Sequence, residues 1–267
     1  AFLSWKDVSK NEKKKLFHAF ADEVEKRQKE LAEIQTKEMW MLYTASFWGL
    51  GGTVKLIRSF ADNSDSLLES KIETENGTTH EFQRDPLGVI YGIAPWNFPF
   101  NQVLRAAVPN ILAGNTVIYK HASNTPLAGI EIEKLFIAAG FPVGIYQNIM
   151  VSSNDSDYIL SRKEVRWVNL TGSEWAGRSI WALAGKYLKP SVLELGGNDA
   201  FIVATTSNLE KIAQEAVRAR ISNNGQKCNS SKRFIVLEKD YNAFIEYAKT
   251  AMEWLVVWDP MNEKTDL

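Results

Sequence analysis

From residue 88 onward, short runs rich in β-branched residues alternate with longer stretches of helical periodicity. This rhythm limits the fold more than any other feature. The extended runs are 88–94, 116–120, 145–151, 165–170, 191–194 and 200–204, with a further strand opening at Lys232. The helical stretches are 126–139, 154–162, 173–188, 208–223 and 241–255. Alternation of this kind buries both faces of a parallel sheet under helices, so an α/β fold with a doubly wound sheet is expected. In such sheets ligands bind beyond the carboxyl ends of the strands.

The first 60 residues read as helix. Ser9 and Glu12 have the spacing of a capping box, and Phe17, Phe20, Val24, Leu31 and Ile34 follow at helical intervals. A second, more apolar helix is expected over 44–60, weakened or broken by Gly49, Gly51 and Gly52. Residues 69–85 differ: two extended runs flank Asn76-Gly77, the dipeptide best suited to a tight hairpin turn. Their alternation is mostly polar, so the hairpin is expected to project from the core and pair elsewhere.

Charge narrows the partners. Lysine and arginine number 31 against 32 acidic residues, which leaves no basic face for a nucleic-acid backbone or a lipid headgroup surface. No apolar run approaches the roughly 20 residues that span a bilayer, and no signal peptide is visible. One cysteine excludes an internal disulfide framework and suits a reducing, cytoplasmic compartment. His18, His80 and His121 are too scattered for a local metal motif, and no metal is expected.

Four strand and helix ends carry unusual residues. Strand 88–94 leads into Pro95-Trp96-Asn97-Phe98-Pro99, where two prolines fix the backbone around Asn97. Strand 165–170 leads into Thr171-Gly172-Ser173 and a helix N-terminus that can face a pyrophosphate; a plain Ser N-cap explains the same residues. Strand 191–194 ends in Glu194-Leu195-Gly196-Gly197, a carboxylate beside two glycines that leave room for a ligand. Helix 208–223 is followed by Asn224-Gly225-Gln226-Lys227-Cys228, with Gly225 as its expected C′ residue and the only thiol in a polar loop. The dinucleotide fingerprint G-x-G-x-x-G is absent; Gly49-Leu50-Gly51-Gly52 neither follows a strand nor has the spacing.

Taken in this order, PWNFP, LTGS, LELGG and NNGQKC closely resemble the aldehyde dehydrogenase superfamily, along the whole chain. The resemblance implies a Rossmann-like cofactor domain formed by 1–68 and 87–197, an oligomerisation hairpin at 69–86, and the beginning of a second α/β catalytic domain at 198–267. It implies that Cys228 is the nucleophile, Glu194 the general base, and the Asn97 amide an oxyanion donor with the Cys228 backbone N–H. Ile93, Trp96, Gly172 and Ser173 match positions that line the dinucleotide, Gly196 lies near the nicotinamide, and Lys120 matches the lysine at the adenosine ribose. Ser123 stands where members that prefer NAD often carry Glu, which leaves room and positive charge for a 2′-phosphate. NADP is therefore expected, with NAD as the alternative.

Among branches of the superfamily, the chain looks most like the succinate-semialdehyde dehydrogenases. Arg105 falls where those enzymes place an arginine for the distal carboxylate. Their second arginine is replaced by Ser222, with Arg220 close but out of register. The implied activity is NAD(P)-dependent oxidation of succinic semialdehyde by a homo-oligomer. The alternatives are a cofactor-binding fragment that does not turn over and a broad-specificity enzyme. Complete members continue beyond Leu267, so the rest of the catalytic domain is expected to lie outside this chain. Trp40 and Trp258 stand where glycines are usual, and bulk there strains backbone or crowds a core.

Overall fold

The computed structural model describes residues 1–204 and 207–267. Four helices open the chain: α1 (Phe2–Trp5), α2 (Lys10–Lys26), α3 (Gln28–Met39) and α4 (Tyr43–Leu67). The hairpin β1 (Lys71–Glu75) and β2 (Thr78–Phe82) follows, turning at Asn76 and Gly77, whose φ angles are 50° and 78°. Next come β3 (Val89–Ile93), α5 (Asn101–Leu112), β4 (Thr116–Lys120), α6 (Pro126–Ala138) and β5 (Tyr146–Asn148). The chain continues with α7 (Ser156–Ser161), β6 (Val165–Thr171), α8 (Glu174–Lys186) and β7 (Ser191–Glu194). It closes with β8 (Asp199–Val203), α9 (Leu209–Ile221), β9 (Ser231–Val236) and α10 (Glu238–Glu253).

The central sheet is parallel, in the order β5-β4-β3-β6-β7. The chain winds outward from β3 in one direction and then resumes at β6 on the other side. The reversal falls between β3 and β6, the point at which a doubly wound sheet opens a crevice. A separate parallel pair, β8 and β9, carries α9 and α10. The α/β class and the parallel sheet are as expected from the alternation.

Helices cover both faces because β3 is buried on both. Ile90 joins a core with Phe17, Phe20, Leu104, Ile111 and Phe136, while Tyr91 packs with Leu160, Val168 and Ile180 on the other side. Phe20 and Phe136 meet with ring centroids 4.2 Å apart, and truncating either to alanine would cost about 3–5 kcal/mol. Gly92 lies opposite Tyr119 across the β3–β4 ladder, and a Cβ there would enter the Tyr119 ring.

Four local expectations need correction. The first amphipathic stretch is two helices, parted at Arg27, whose guanidinium bonds Glu30 at 2.6 Å and Glu131 at 2.5 Å. Helix α4 runs unbroken through Gly49, Gly51 and Gly52, since Leu50, Val54, Ile57 and Ala61 bury one face and Gln28 donates to the Phe47 carbonyl at 2.6 Å. Helix α5 is an addition: Val103, Leu104, Ala107, Val108 and Ile111 are buried at helical spacing, and Pro109 near its end does not stop it. Gly225 is not a C′ residue. Helix α9 ends at Ile221, and Asn223 and Asn224 take left-handed φ angles of 53° and 54° before Gly225.

Candidate active site

Parallel registry aligns the carboxyl ends of four strands. Ile93 pairs with Lys120 on one side and with Leu170 on the other, and Thr171 pairs with Glu194. A cleft of about 610 Å³ opens above these ends. Ile93, Trp96, Lys120 and Ser123 line one part of it, and Gly172, Ser173 and Gly196 another. Asn97, Glu194 and Cys228 lie along the same cleft. So residues as far apart in sequence as Ile93 and Cys228 share one concave surface. Its size is that of a small-molecule or cofactor site.

Three segments build the chemical end. The Pro95–Pro99 turn presents Asn97, whose Nδ2 donates one N–H to the Gln226 carbonyl at 2.6 Å. Asn223 Nδ2 donates to the Asn97 carbonyl at 3.0 Å, so the turn and the loop before Cys228 hold each other. The loop is also tied to the α3–α4 corner: Asn224 Nδ2 donates to the Trp40 carbonyl at 2.7 Å and Gln226 Nε2 to the Met39 carbonyl at 3.4 Å. Arg220 shapes the same loop by donating to the Gly225 carbonyl at 3.0 Å. The Asn97 Oδ1 is buried without a partner, which leaves the amide oriented by its nitrogen alone. Cys228 is exposed at the cleft and free of any disulfide.

The helix beyond Thr171 is capped as expected: the Ser173 Oγ accepts from the Ala176 N–H at 3.2 Å. Glu194 is the one carboxylate among the residues named along this cleft, whereas Lys120 and Lys227 bring cations. Lys120 is followed by the buried His121, part of a polar cluster. His121 Nε2 and the Tyr146 hydroxyl are 3.2 Å apart, and Asn169 Nδ2 donates to the Tyr119 hydroxyl at 2.9 Å. Burial pushes the His121 imidazole down to about 4, with neighbouring Lys120 adding to the effect, and pushes the Tyr119 phenol up to about 12.

Arg105 does not share the first cleft. It stands on α5 and lines a second cavity of about 310 Å³ together with Phe100, Asn101 and Thr53. Cys228 lines both cavities, as do Gln102 and Lys227. The thiol residue therefore sits where they adjoin. Among the described residues no carboxylate lines the second cavity, whereas Arg105 and Lys227 do. Ser222, at the position of the second arginine, accepts from Lys227 Nζ at 3.2 Å. Sequence patterns give no reason to single out Gln102, because its placement depends on α5. Lys227 was visible as the neighbour of the cysteine. Among the described residues no group of histidine, cysteine, aspartate and glutamate side chains is placed to hold a metal ion. No helix there is long and apolar enough to cross a membrane.

Fold and cleft define a doubly wound α/β protein with its main cleft at the switch point of its sheet, where proteins of this class bind ligands. The aldehyde dehydrogenase family model matches residues 1–267, and the chain belongs to that family. It is 38% identical over 269 residues to an aldehyde dehydrogenase of Paenarthrobacter nicotinovorans, covering 99% of this chain and 59% of that protein. It is 39% identical over 253 residues to succinate-semialdehyde dehydrogenase [NADP(+)] 1 of Mycobacterium ulcerans, covering 94% and 55%. The crystal structure of succinic semialdehyde dehydrogenase from Streptococcus pyogenes, in complex with NADP+, superposes with a TM-score of 0.96 at 34% identity, covering 100% of this chain and 59% of that one. The chain thus spans somewhat more than half the length of the relatives it matches.

Proposed function

We propose that this chain carries the cofactor site and nucleophile for NADP-linked oxidation of a short aldehyde with an anionic tail, succinic semialdehyde being the example that fits, to the carboxylic acid. The observation that carries the reading is the position of Cys228 between a nucleotide-sized cleft and a smaller cavity with two cations and no acid among its lining residues. An aldehyde entering from the Arg105 side would bring its carbonyl to the thiol, and its carboxylate would meet Arg105.

In this mechanism the Cys228 thiolate attacks the carbonyl carbon. The developing oxyanion is held by the second Asn97 N–H and the Cys228 backbone N–H, donors of a kind worth about 3–4 kcal/mol each. The thiohemiacetal then collapses to a thioester with loss of hydride. When bound, the nicotinamide cofactor supplies the acceptor for that hydride. Glu194 next takes a proton from water as the water attacks the thioester carbon. The carbon–sulfur bond breaks, the thiolate returns and the acid leaves.

The chain's residues fit a dinucleotide. Gly196 leaves the cleft wall open, the α8 N-terminus favours a pyrophosphate, and Lys120 with the neutral Ser123 favours a 2′-phosphate. Two relatives support NADP by name and by bound cofactor. In this reading residues 1–68 and 87–197 form the cofactor domain and 198–267 begin the catalytic one. The hairpin 69–86, exposed along both strands and including Ile72 and Phe82, serves assembly of a homo-oligomer.

The test is NADPH formation from succinic semialdehyde. Cys228→Ser should abolish it. Arg105→Ala should raise KM for succinic semialdehyde about 10- to 100-fold while leaving that for butanal nearly unchanged. Equal losses on both aldehydes would end the substrate assignment. The second reading is cofactor binding without turnover. It predicts NADP+ binding with no Cys228-dependent NADPH.

A further inference from the structure

We propose that Lys232 is a positioning residue that clasps the nucleophile's loop to the exit of the strand that carries the base. The inference rests on the reading of Cys228 and Glu194 given above. Lys232 Nζ donates to the Gly197 carbonyl at 2.6 Å and to the Cys228 carbonyl at 2.8 Å. The first carbonyl lies three residues beyond Glu194, and the second belongs to the nucleophile's own residue. One ammonium thus fixes the separation of two segments whose side chains must act on the same carbon.

Two further observations show that this junction is built closely. Ser231 pairs with Asp199 and Arg233 with Ala200, so the β8–β9 ladder skips Lys232. An extra residue in one strand is a β-bulge, a device that re-aims a side chain and recurs beside active sites. Here the bulge frees Lys232 from the ladder, and the next residue secures the same connector: Arg233 Nε donates to the Asn198 carbonyl at 3.0 Å. The backbone itself comes near as well. A Cβ on Gly197 would lie 3.2 Å from the Cys228 carbonyl oxygen and 3.0 Å from the Asp199 carboxylate.

The chemistry of lysine suits the task. An ammonium offers three donors radiating from one compact charge, which can satisfy carbonyls converging from different directions. Methionine keeps the stem and loses every donor. Arginine keeps the charge and several donors. Loss of the clasp should affect the step that needs Glu194 and Cys228 in register, hydrolysis of the thioester, more than aldehyde binding.

The experiment compares wild type, Lys232→Met and Lys232→Arg, with circular dichroism to check that each is folded. The first readout is the alkylation rate of Cys228 by iodoacetamide, followed by mass spectrometry; Cys228 is the sole cysteine, so the signal is unambiguous. Lys232→Met should slow it by about threefold or more, and Lys232→Arg should restore most of the rate. The second readout is turnover: Lys232→Met should lower kcat by about tenfold or more with KM within twofold, leaving an NADPH burst ahead of a slow steady state. Alkylation and kcat both within twofold of wild type in Lys232→Met would overturn the proposal. So would an arginine variant as impaired as the methionine one. If wild type makes no NADPH, the enzymatic reading fails, and the alkylation rates still decide whether Lys232 positions Cys228. A Lys232→Met chain that does not fold shifts the decision to Lys232→Gln, whose amide can still donate to both carbonyls; alkylation as fast as wild type supports the clasp and a threefold loss opposes it.

Discussion

Acid should unfold this protein in part through one histidine. His121 is 7% exposed, its Nε2 engaged with the Tyr146 hydroxyl and its Nδ1 buried without a partner. Stacked tyrosines 119 and 146 wall it in, and Lys120 is its sequence neighbour. Burial, then the Lys120 charge, hold the imidazole at about 4 against an ordinary 6.5. The folded state therefore resists a proton that the unfolded chain accepts. Stability from the neutral ring is complete above pH 6.5 and is lost as the pH falls towards 4. The gap between 6.5 and about 4 corresponds to about 3 kcal/mol when fully expressed. By pH 4.5 about 2.5 kcal/mol of this should be gone, a large share of a typical domain's margin.

Other groups titrate over the same range, so the effect must be isolated. Glu30 and Glu131, lowered by Arg27 and Lys134, also lose stability in acid, whereas Glu38, raised by burial, gains it. His121→Phe keeps a planar ring and removes the titration. Urea unfolding of both proteins from pH 4.5 to 8 should show the variant's stability relative to wild type constant above pH 7. Below that it should rise in the variant's favour by about 2.5 kcal/mol at pH 4.5. A difference that does not change with pH, or a His121 titration near 6.5 by NMR, would refute the reasoning.

Three further outcomes are expected. Glu38 accepts from the Leu127 N–H at 2.6 Å and the Ala128 N–H at 3.0 Å, capping α6 from α3, so Glu38→Ala should cost about 1–2 kcal/mol in urea titrations. Trp40→Gly should leave stability unchanged or raise it by up to about 1 kcal/mol, since Trp40 holds φ 65° while its side chain is 67% exposed; a loss beyond that range would show that the indole contributes packing. Ser123→Glu should reverse a preference for NADP, by about tenfold or more in the ratio of KM values for NADP+ and NAD+, and an unchanged ratio would remove Ser123 from cofactor choice.

What the sequence makes legible is whatever is encoded locally. The strands 116–120 and 191–194 coincide with β4 and β7 because each is a short run with an apolar centre next to turn residues, Gly114-Asn115 before the first and Pro190 and Gly196 around the second. The hairpin follows from Asn76-Gly77, and the α8 start from Ser173. Helix α5 lacks such marks: its N-cap is Phe100, with no capping side chain, and Pro109 reads as a stop. The second cavity, which contains Arg105, is equally hidden, since it exists only where α5 meets α4 and the Cys228 loop.

The course of the Cys228 loop is the clearest case of tertiary control. Local chemistry places a helix end at Gly225, yet α9 stops four residues earlier, at Ile221. Two asparagines then enter the left-handed region, where their short polar side chains are tolerated. What fixes them is distant in sequence: Asn223 reaches the Asn97 carbonyl and Asn224 the Trp40 carbonyl. Trp40 is itself left-handed. Among the described residues, the non-glycine positions with positive φ are Trp40, Asn76, Leu188, Asn223 and Asn224. Two of these five, Trp40 and Asn224, are hydrogen-bonded to each other, and Asn223 precedes Asn224 in the same loop. Strain persists only where surrounding structure over-determines it, and it gathers at functional sites. The convergence on Cys228 of strained backbone, an orphaned Asn97 Oδ1 and a bulge-freed Lys232 thus sets this loop apart from an ordinary connection.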